Sequence, residues 1–290
     1  MRNRISACCS LCCALAAAAQ PGPSKALRDR AGKGDVRAQY QIGKMYRDGT
    51  GVAPNAAEAA RWFRQAAAAG FAQAENDLGF LYDSGLGLPE DHAEAAHWYR
   101  KAAVQGNSDA EFNLASLYDT GQGVPLDPAR AALWYRKAAL HGDTDAQFNL
   151  GVMYEQGQGV GHDYREAARW YRMAAERDIA VAQSALADLY ANHRGVPEDF
   201  AAADRWYAKA AAHGYAPALY ELGVSYARGR GATRDDVAAY TWMDVAAFRA
   251  RGTLQERCAK ERDALAAKLT PEQLAEAQRR ALIWKKKWLP

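Results

Sequence analysis

The side chains that could carry out chemistry are scattered along this chain and form no recognisable catalytic motif. The six histidines are dispersed, and His92 and His97 stand five residues apart, which is a poor helical spacing for a shared metal ion. Ser225, within Gly223-Val224-Ser225-Tyr226-Ala227, comes near a nucleophile elbow but falls inside a repeated helix. No Ser-x-x-Lys, His-Glu-x-x-His or phosphate-binding Gly-rich Lys motif occurs. We therefore predict no catalytic residue, no metal site and no cofactor.

The N-terminal residues have the pattern of an export signal. Two arginines, Arg2 and Arg4, precede an uncharged run of small and apolar residues that ends in Ala17-Ala18-Ala19. This predicts a signal peptide over residues 1–19 and a periplasmic protein. The run is too short for a membrane span, which needs about 20 apolar residues. Ile5-Ser6-Ala7-Cys8 resembles a lipoprotein cleavage box, so lipid anchoring through Cys8 is the alternative to a soluble form.

Cysteine content argues against a disulfide-stabilised domain, and the net charge argues against a nucleic-acid-binding protein. Four of the five cysteines lie in the signal, so the mature chain keeps Cys258 alone and has no internal disulfide framework. The role of Cys258 stays open. The formal charge is +3, and it becomes +1 when the two signal arginines are removed. So small a charge gives no overall field for nucleic acid.

Tryptophan recurs at a fixed interval of 36 residues, which indicates an internal repeat. The positions are Trp62, Trp98, Trp134, Trp170, Trp206 and Trp242. We divide the chain into a linker with a degenerate cap helix at 20–34, six repeats, and C-terminal capping helices with a basic tail at 251–290. The repeats are 35–70, 71–106, 107–142, 143–178, 179–214 and 215–250.

Each repeat predicts two helices joined by a turn. In the third repeat, Ala110, Leu114 and Tyr118 form an i, i+4, i+8 stripe on one face of the first helix. A Gly-x-Gly turn follows, and Asp127 caps the second helix. We expect Trp134 and its aromatic neighbour to anchor one unit against the next. Near the C-terminus, Thr270-Pro271-Glu272-Gln273 predicts a capping box.

The repeat resembles the Sel1-like repeat (SLR), a relative of the tetratricopeptide repeat. The resemblance rests on Ala-x-x-x-Leu-Gly-x-x-Tyr, Gly-x-Gly-Val and Trp-Tyr-x-Lys-Ala-Ala-x-x-Gly, and it covers residues 35–250. It implies an all-α, right-handed α/α superhelical solenoid of six 36-residue helix-turn-helix repeats with helical caps. It also implies a concave face built by first helices, and contacts with other proteins in the bacterial envelope. His193 and Asp178 replace turn glycines, which puts the local loop shape in doubt.

The first-helix positions that face away from the Ala–Leu–Tyr stripe are our candidates for partner binding. They combine acids, amides and phenylalanines, a set that suits an extended or helical, basic peptide. They are Asp77, Phe80, Asp83, Asp109, Phe112, Asn113, Asp119, Asp145, Phe148, Asn149 and Glu155. The alternative is that the phenylalanines pack between neighbouring first helices and that the acids are merely solvated.

We expect a monomeric, non-catalytic scaffold that binds a protein or peptide partner through this face. The first alternative is a cell-envelope enzyme of the β-lactamase or penicillin-binding type, or one with peptidoglycan-related activity. The second is a structural unit that self-associates end to end. Nucleic-acid binding is disfavoured because the middle of the array is acidic. Membrane contact is expected only through an N-terminal lipid or the tail Trp284-Lys285-Lys286-Lys287-Trp288, for which a docked helix end is the competing interpretation.

Overall fold

The computed structural model describes residues 22–288. The signal peptide and the lipidation site at Cys8 lie outside the described residues and stay predictions. Within residues 22–288 the chain forms fifteen α-helices and no strand. In chain order they are α1 Lys25–Gly32, α2 Val36–Asp48, α3 Ala56–Ala68, α4 Ala72–Ser84, α5 His92–Ala103, α6 Ser108–Thr120, α7 Pro128–Leu140, α8 Thr144–Gln156, α9 Tyr164–Ala175, α10 Ala180–Ala191, α11 Phe200–Ala212, α12 Ala216–Arg228, α13 Asp236–Arg249, α14 Gly252–Ala266 and α15 Pro271–Lys286.

Each 36-residue repeat supplies two successive helices, from α2–α3 through α12–α13. Neighbouring helices along the chain pack on one another, as in α4 on α5 and α5 on α6. This confirms the all-α solenoid of six helix-turn-helix repeats. The described chain forms two compact units. Unit 1 comprises the described residues up to Ala146 together with Gln158–Val160, and unit 2 comprises Gln147–Gly157 and the described residues from Gly161 onwards.

The residue after each tryptophan, and not the tryptophan itself, occupies the centre of its repeat. Tyr99 is fully buried, whereas Trp98 is only half-buried. Trp170 is the one repeat tryptophan that is buried. The buried ring is accommodated because the first helix carries a small residue opposite it: a Cβ added to Gly79 would lie 2.8 Å from Cδ1 of Tyr99. Trp98 packs against the apolar cluster that contains Ala59 and Leu78. The prediction that the tryptophan and its aromatic neighbour anchor the units together is therefore confirmed, with the neighbour as the more buried of the two.

The helix caps follow the local sequence signals. A side-chain oxygen of Asn or Asp accepts from the first turn of every second helix in the six repeats, and Thr270 and Gln273 form the capping box of α15. Most first helices are followed directly by a left-handed glycine such as Gly121, with φ of 71°, whereas α10 is followed by Asn192 with φ of −113°. Asp178 and His193 adopt φ of 60° and 53° in place of glycine. The doubt about these two loops is resolved, since both residues adopt positive φ themselves.

Arginine side chains connect successive repeats. Arg64, Arg100 and Arg172, all at one repeat position on second helices, each donate to the tyrosine hydroxyl of the following first helix, at 3.1, 2.9 and 2.8 Å. In the sixth repeat the same position holds Asp244. Its carboxylate lies 2.7 Å from Lys285 Nζ on α15, so the charge at this position is reversed where the partner changes from a repeat to the cap.

The C-terminal tail docks on the array. The Trp284 ring lies 4.9 Å from that of Trp242, and Trp288 stacks on Trp284 at 6.0 Å. The guanidinium of Arg249 lies over the Trp288 ring at 5.3 Å. These contacts favour the docked helix end over a membrane-binding tail. Over the described range, none of the helices combines the length and the apolar character that crossing a bilayer requires.

Candidate functional site

Two of the candidate residues in unit 1 are buried and already bonded. Asp77 Oδ2 lies 2.7 Å from Arg47 Nη1. Asn113 donates from Nδ2 to Asn76 Oδ1 at 3.2 Å, and Asn76 donates to Asp77 at 3.3 Å. Burial raises the pKa of the Asp77 carboxyl, although the Arg47 charge opposes the shift. The expectation that Asp77 and Asn113 face away from the core is corrected: a neighbouring first helix covers the side that an isolated helical wheel leaves open.

The other acids of unit 1 differ in accessibility. Asp83 accepts from His92 Nδ1 at 2.8 Å, and its side chain is only 7% exposed. Asp109 is exposed in the first turn of α6, and Asp145 is half-buried. Asp119 is also half-buried, and burial alone raises the pKa of its carboxyl. Asp109, Asp119 and Asp145 are therefore the carboxylates of this set that a partner could meet on the first helices of unit 1.

The three candidate phenylalanines pack inside their units. Phe112 contacts Tyr135 edge-on at 5.5 Å between ring centroids, and Phe148 contacts Tyr171 at 5.5 Å. Phe80 packs against the apolar cluster that contains Ala59 and Leu78. All three rings are half-buried. Packing within the array, the alternative left open by the sequence, therefore accounts for one face of each ring.

In unit 2 the candidate residues Phe148, Asn149 and Glu155 lie on α8. Glu155 Oε2 accepts from the Tyr171 hydroxyl at 2.6 Å, and its Oε1 lies 3.9 Å from Arg194. Asn149 is half-buried. The eleven candidates are thus divided between the two units, and each unit presents its own acidic first-helix residues.

Unit 2 also contains a recess that the sequence reading missed, at the junction of repeats five and six. Its volume is about 210 Å³. Acids, basic residues, a hydroxyl and aromatic rings line it together: Asp188, Ala191, Asn192, Phe200, Ala203, Asp204, Tyr207, Glu221, Val224, Ser225, Arg228 and Arg230. We call this cavity the junction recess. Asp188 and Glu221 come from the first helices α10 and α12, whereas Asp204 comes from the second helix α11.

Hydrogen bonds orient the carboxylates of the junction recess. The Tyr207 hydroxyl donates to Asp188 Oδ1 at 2.5 Å. Ser225 Oγ lies 2.8 Å from Asp204 Oδ2 and also contacts the Arg230 carbonyl oxygen. Each aspartate keeps its second carboxylate oxygen outside these bonds. The geometry therefore orients two carboxylates without neutralising either of them.

Desolvation by the surrounding side chains is the largest cause of a raised pKa at all three acids of the junction recess, of which Asp204 and Glu221 are half-buried and Asp188 is exposed. It raises the pKa of the Asp188 carboxyl, where the Glu155 charge adds to the shift and the Tyr207 hydroxyl opposes it. It raises the pKa of Asp204 against the Ser225 hydrogen bond. It raises the pKa of Glu221 too, with Asp188 adding to the shift and Arg257 opposing it. Arg228 also opposes the shift at Glu221, and with Arg230 in the lining as well the recess carries three carboxylates against two guanidiniums.

The junction recess offers little for catalysis. Ser225 is the serine of the elbow-like segment, but it lies inside α12 and is bonded to a carboxylate and a carbonyl. No histidine is among the residues that line the recess, so no imidazole can activate the hydroxyl there. Among the described side chains, no three His, Cys, Asp or Glu residues are placed to hold a metal ion. What the arrangement can do is bind a charged group.

A signal for this recess was present in the repeat phase. Repeats one to four carry alanine where repeat five carries Asp204, at Ala60, Ala96, Ala132 and Ala168. Repeats one to five carry methionine or leucine where repeat six carries Ser225, at Met45, Leu81, Leu117, Met153 and Leu189. Polar residues that break the apolar pattern of a repeat are expected at functional or strained sites. A comparison of each repeat position across all six copies would have found them.

The family model of the Sel1 repeat matches residues 36–71, 72–107, 108–143, 144–179, 180–215 and 216–247. The chain therefore belongs to the Sel1 repeat family, whose members are generally non-catalytic scaffolds for protein interaction. No curated protein matches the chain.

Two solved structures show the same kinship. One is a protective antigen present in uropathogenic Escherichia coli strains, which displays an SLR fold; it is 32% identical over 89% of this chain, with a TM-score of 0.79. The chain spans only 56% of that protein's length. The other is a Sel1 repeat protein from Oxalobacter formigenes, 36% identical over 76% of this chain and 90% of its own, with a TM-score of 0.69.

Proposed function

We propose that this protein is an exported, non-catalytic scaffold of the bacterial cell envelope that holds a partner protein or peptide against its first-helix faces. The observation that carries the proposal is the set of first-helix carboxylates at the surface of the array, of which Asp119 and Glu221 are half-buried and Asp188 is exposed. Burial raises the pKa of the half-buried Asp119 and Glu221 carboxyls. Charged groups kept partly out of water, on a fold whose family serves as a scaffold, suit a polar docking face.

The envelope location is supported by the leader pattern of residues 1–19 and by the kind of relative found. One similar structure is described as a protective antigen, which suits a protein outside the cytoplasm. Cell fractionation with a C-terminal epitope tag tests this part of the proposal. We expect a periplasmic product that begins near Gln20, as determined by mass spectrometry of the intact protein. A full-length cytoplasmic product would contradict export.

Site-specific photo-crosslinking in the native cell tests the docking face. A photoreactive residue replaces the exposed side chains Gln41 or Asp109 on first helices of unit 1, or Asn192 at the end of α10 in unit 2. The matched control places it at Leu133, which is 61% exposed on the second helix α7. We expect one protein to crosslink from first-helix positions and not from Leu133. Adducts only from Leu133, or from none of the four positions, would overturn the proposal.

A hydrolysis assay separates this proposal from the enzyme alternative. Purified residues 20–290 are incubated with a chromogenic β-lactam and, separately, with peptidoglycan fragments. We expect no turnover above the rate of the uncatalysed reaction. Turnover that survives further purification and disappears in Ser225→Ala would show instead that the protein is an enzyme.

A further inference from the structure

We propose that the junction recess is a socket for one basic side chain of the partner, a lysine ammonium or an arginine guanidinium. The inference rests on the proposed scaffold function and specifies the chemistry of its partner. The recess of about 210 Å³ is too small for most cofactors and substrates, whose pockets measure about 300–1,000 Å³, and suits a single side chain.

The repeat itself provides the internal control for this assignment. At the junction of repeats four and five, Ala168 and Leu189 belong to one apolar cluster. At the junction of repeats five and six, the equivalent positions hold Asp204 and Ser225, joined by a 2.8 Å hydrogen bond. Truncation of the leucine to serine removes side-chain volume, and the aspartate brings a charge. Part of the cavity and one of its three carboxylates therefore arise at two positions that are apolar at the preceding junction.

The charges in the junction recess favour a cation. Asp188, Asp204 and Glu221 form no ion pair within 4 Å in the part of the chain that the structure describes. Arg194 lies 3.9 Å from Glu155 and Arg257 pairs with Glu261, whereas Arg228 acts on Glu221 only from beyond 4 Å. An entering ammonium or guanidinium would satisfy the carboxylate oxygens left outside the Tyr207 and Ser225 bonds, as charge-assisted hydrogen bonds do.

The rim of the junction recess restricts the kind of basic segment that fits. Arg228 and Arg230 are exposed and line the recess, and Arg230 lies over the Phe200 ring at 5.7 Å. These two guanidiniums repel a polybasic tract but pair with acids on either side of a single basic residue. We therefore infer that the partner presents an isolated lysine or arginine flanked by acidic residues.

Methyl NMR of residues 20–290 tests the socket directly. The probe is acetyl-Glu-Lys-Glu-amide, and its matched control carries norleucine in place of lysine. We expect saturable shifts of the Val224 and Ala203 methyl signals with the lysine peptide and none with the norleucine peptide. Equal shifts with both peptides, or no shift with either, would overturn the inference. Butylammonium that binds as tightly as the peptide would also contradict it, because the recess would then be a site for small free amines.

Three variants of the chain test whether the lysine peptide binds in the junction recess. Asp204→Ala with Ser225→Leu restores the pair found in the other repeats, and we expect at least a fivefold loss of affinity with an unchanged or higher Tm. Glu221→Gln, which keeps the side-chain shape, should weaken binding severalfold and decides the test if the double variant does not fold. Glu198→Gln removes an exposed acid outside the lining and should bind as the parent does. Parent-like affinity in both recess variants would refute the socket.

The peptide-binding and crosslinking experiments together distinguish a wrong socket assignment from a wrong scaffold proposal. If first-helix positions crosslink to a partner while the lysine peptide does not bind, the scaffold stands and the socket is wrong. If the peptide binds and no first-helix position crosslinks, the recess is a cation site and the scaffold proposal is wrong.

Discussion

The two junctions within unit 2 are built to one plan and filled in opposite ways. Between repeats four and five, Ala168 and Leu189 are fully buried in an apolar cluster. Between repeats five and six, Asp204 and Ser225 face a cavity. The flanking anchor residues are the same, since Tyr171 and Tyr207 are both buried. The comparison shows that the helical repeat tolerates a polar junction, and that the fold alone does not explain why this chain has one.

The largest expected effect comes from moving the polar pair to the apolar junction. Ala168→Asp with Leu189→Ser should destabilise the chain by about 4 kcal/mol or more, because removal of a buried leucine costs about 2–5 kcal/mol and a carboxyl is buried in an apolar cluster as well. Urea unfolding followed by circular dichroism measures the loss. A loss below about 1 kcal/mol would mean that the two junctions are energetically equivalent and that the recess is not special.

The converse exchange should have a smaller effect of opposite sign. Asp204→Ala with Ser225→Leu is expected to stabilise the chain by about 1 kcal/mol, because both partners of a polar pair are replaced by apolar residues that match the repeat. Urea unfolding followed by circular dichroism again measures the free energy of unfolding of the variant and of the parent. Marked destabilisation would show that the polar pair contributes to folding, and it would weaken the argument that the pair is kept for binding.

The difference between this repaired variant and the parent should depend on pH. Burial raises the pKa of the Asp204 carboxyl, so the folded chain holds this proton more tightly than the unfolded chain does. The ionised carboxyl therefore lowers stability at neutral pH, and the effect disappears as the pH falls through the raised pKa. We expect the stability gap to narrow between pH 7 and about pH 4, near the pKa of an unfolded aspartate. A gap that widens over this range would contradict the assignment.

The smallest expected effect concerns the turn between α9 and α10, which contains Asp178. Asp178 stands where the next repeat has Gly214, and it has φ of 60°. A left-handed backbone conformation costs an L-residue about 1–2 kcal/mol, and glycine avoids this cost. Glycine also makes the unfolded chain more flexible, which offsets part of the benefit, so we expect Asp178→Gly to raise the free energy of unfolding by about 0.5–1 kcal/mol. Thermal unfolding measures the change, with Asp145→Gly in a helix as the control that should destabilise.

Local features were predictable from the sequence because their causes are local. The N-cap of α7 by Asp127 and the capping box at Thr270 depend on residues within one turn. The helix pairs follow from the Ala–Leu–Tyr stripe. The docking candidates were harder to predict: Asn113 faces away from its own helix's stripe, yet it is buried by a bond to Asn76 on a neighbouring first helix.

By itself, the sequence determined that this chain is an all-α array of six repeats, because a period of 36 residues repeats the same caps, turns and apolar stripe. The tertiary structure decided which aromatic residue is central, since Tyr99 meets Gly79 across a helix pair. It also decided which acidic side chains lie close together. Asp188, Asp204 and Glu221 lie 16 and 17 residues apart in the chain and meet only because successive helices stack, so no local pattern marks them as one site.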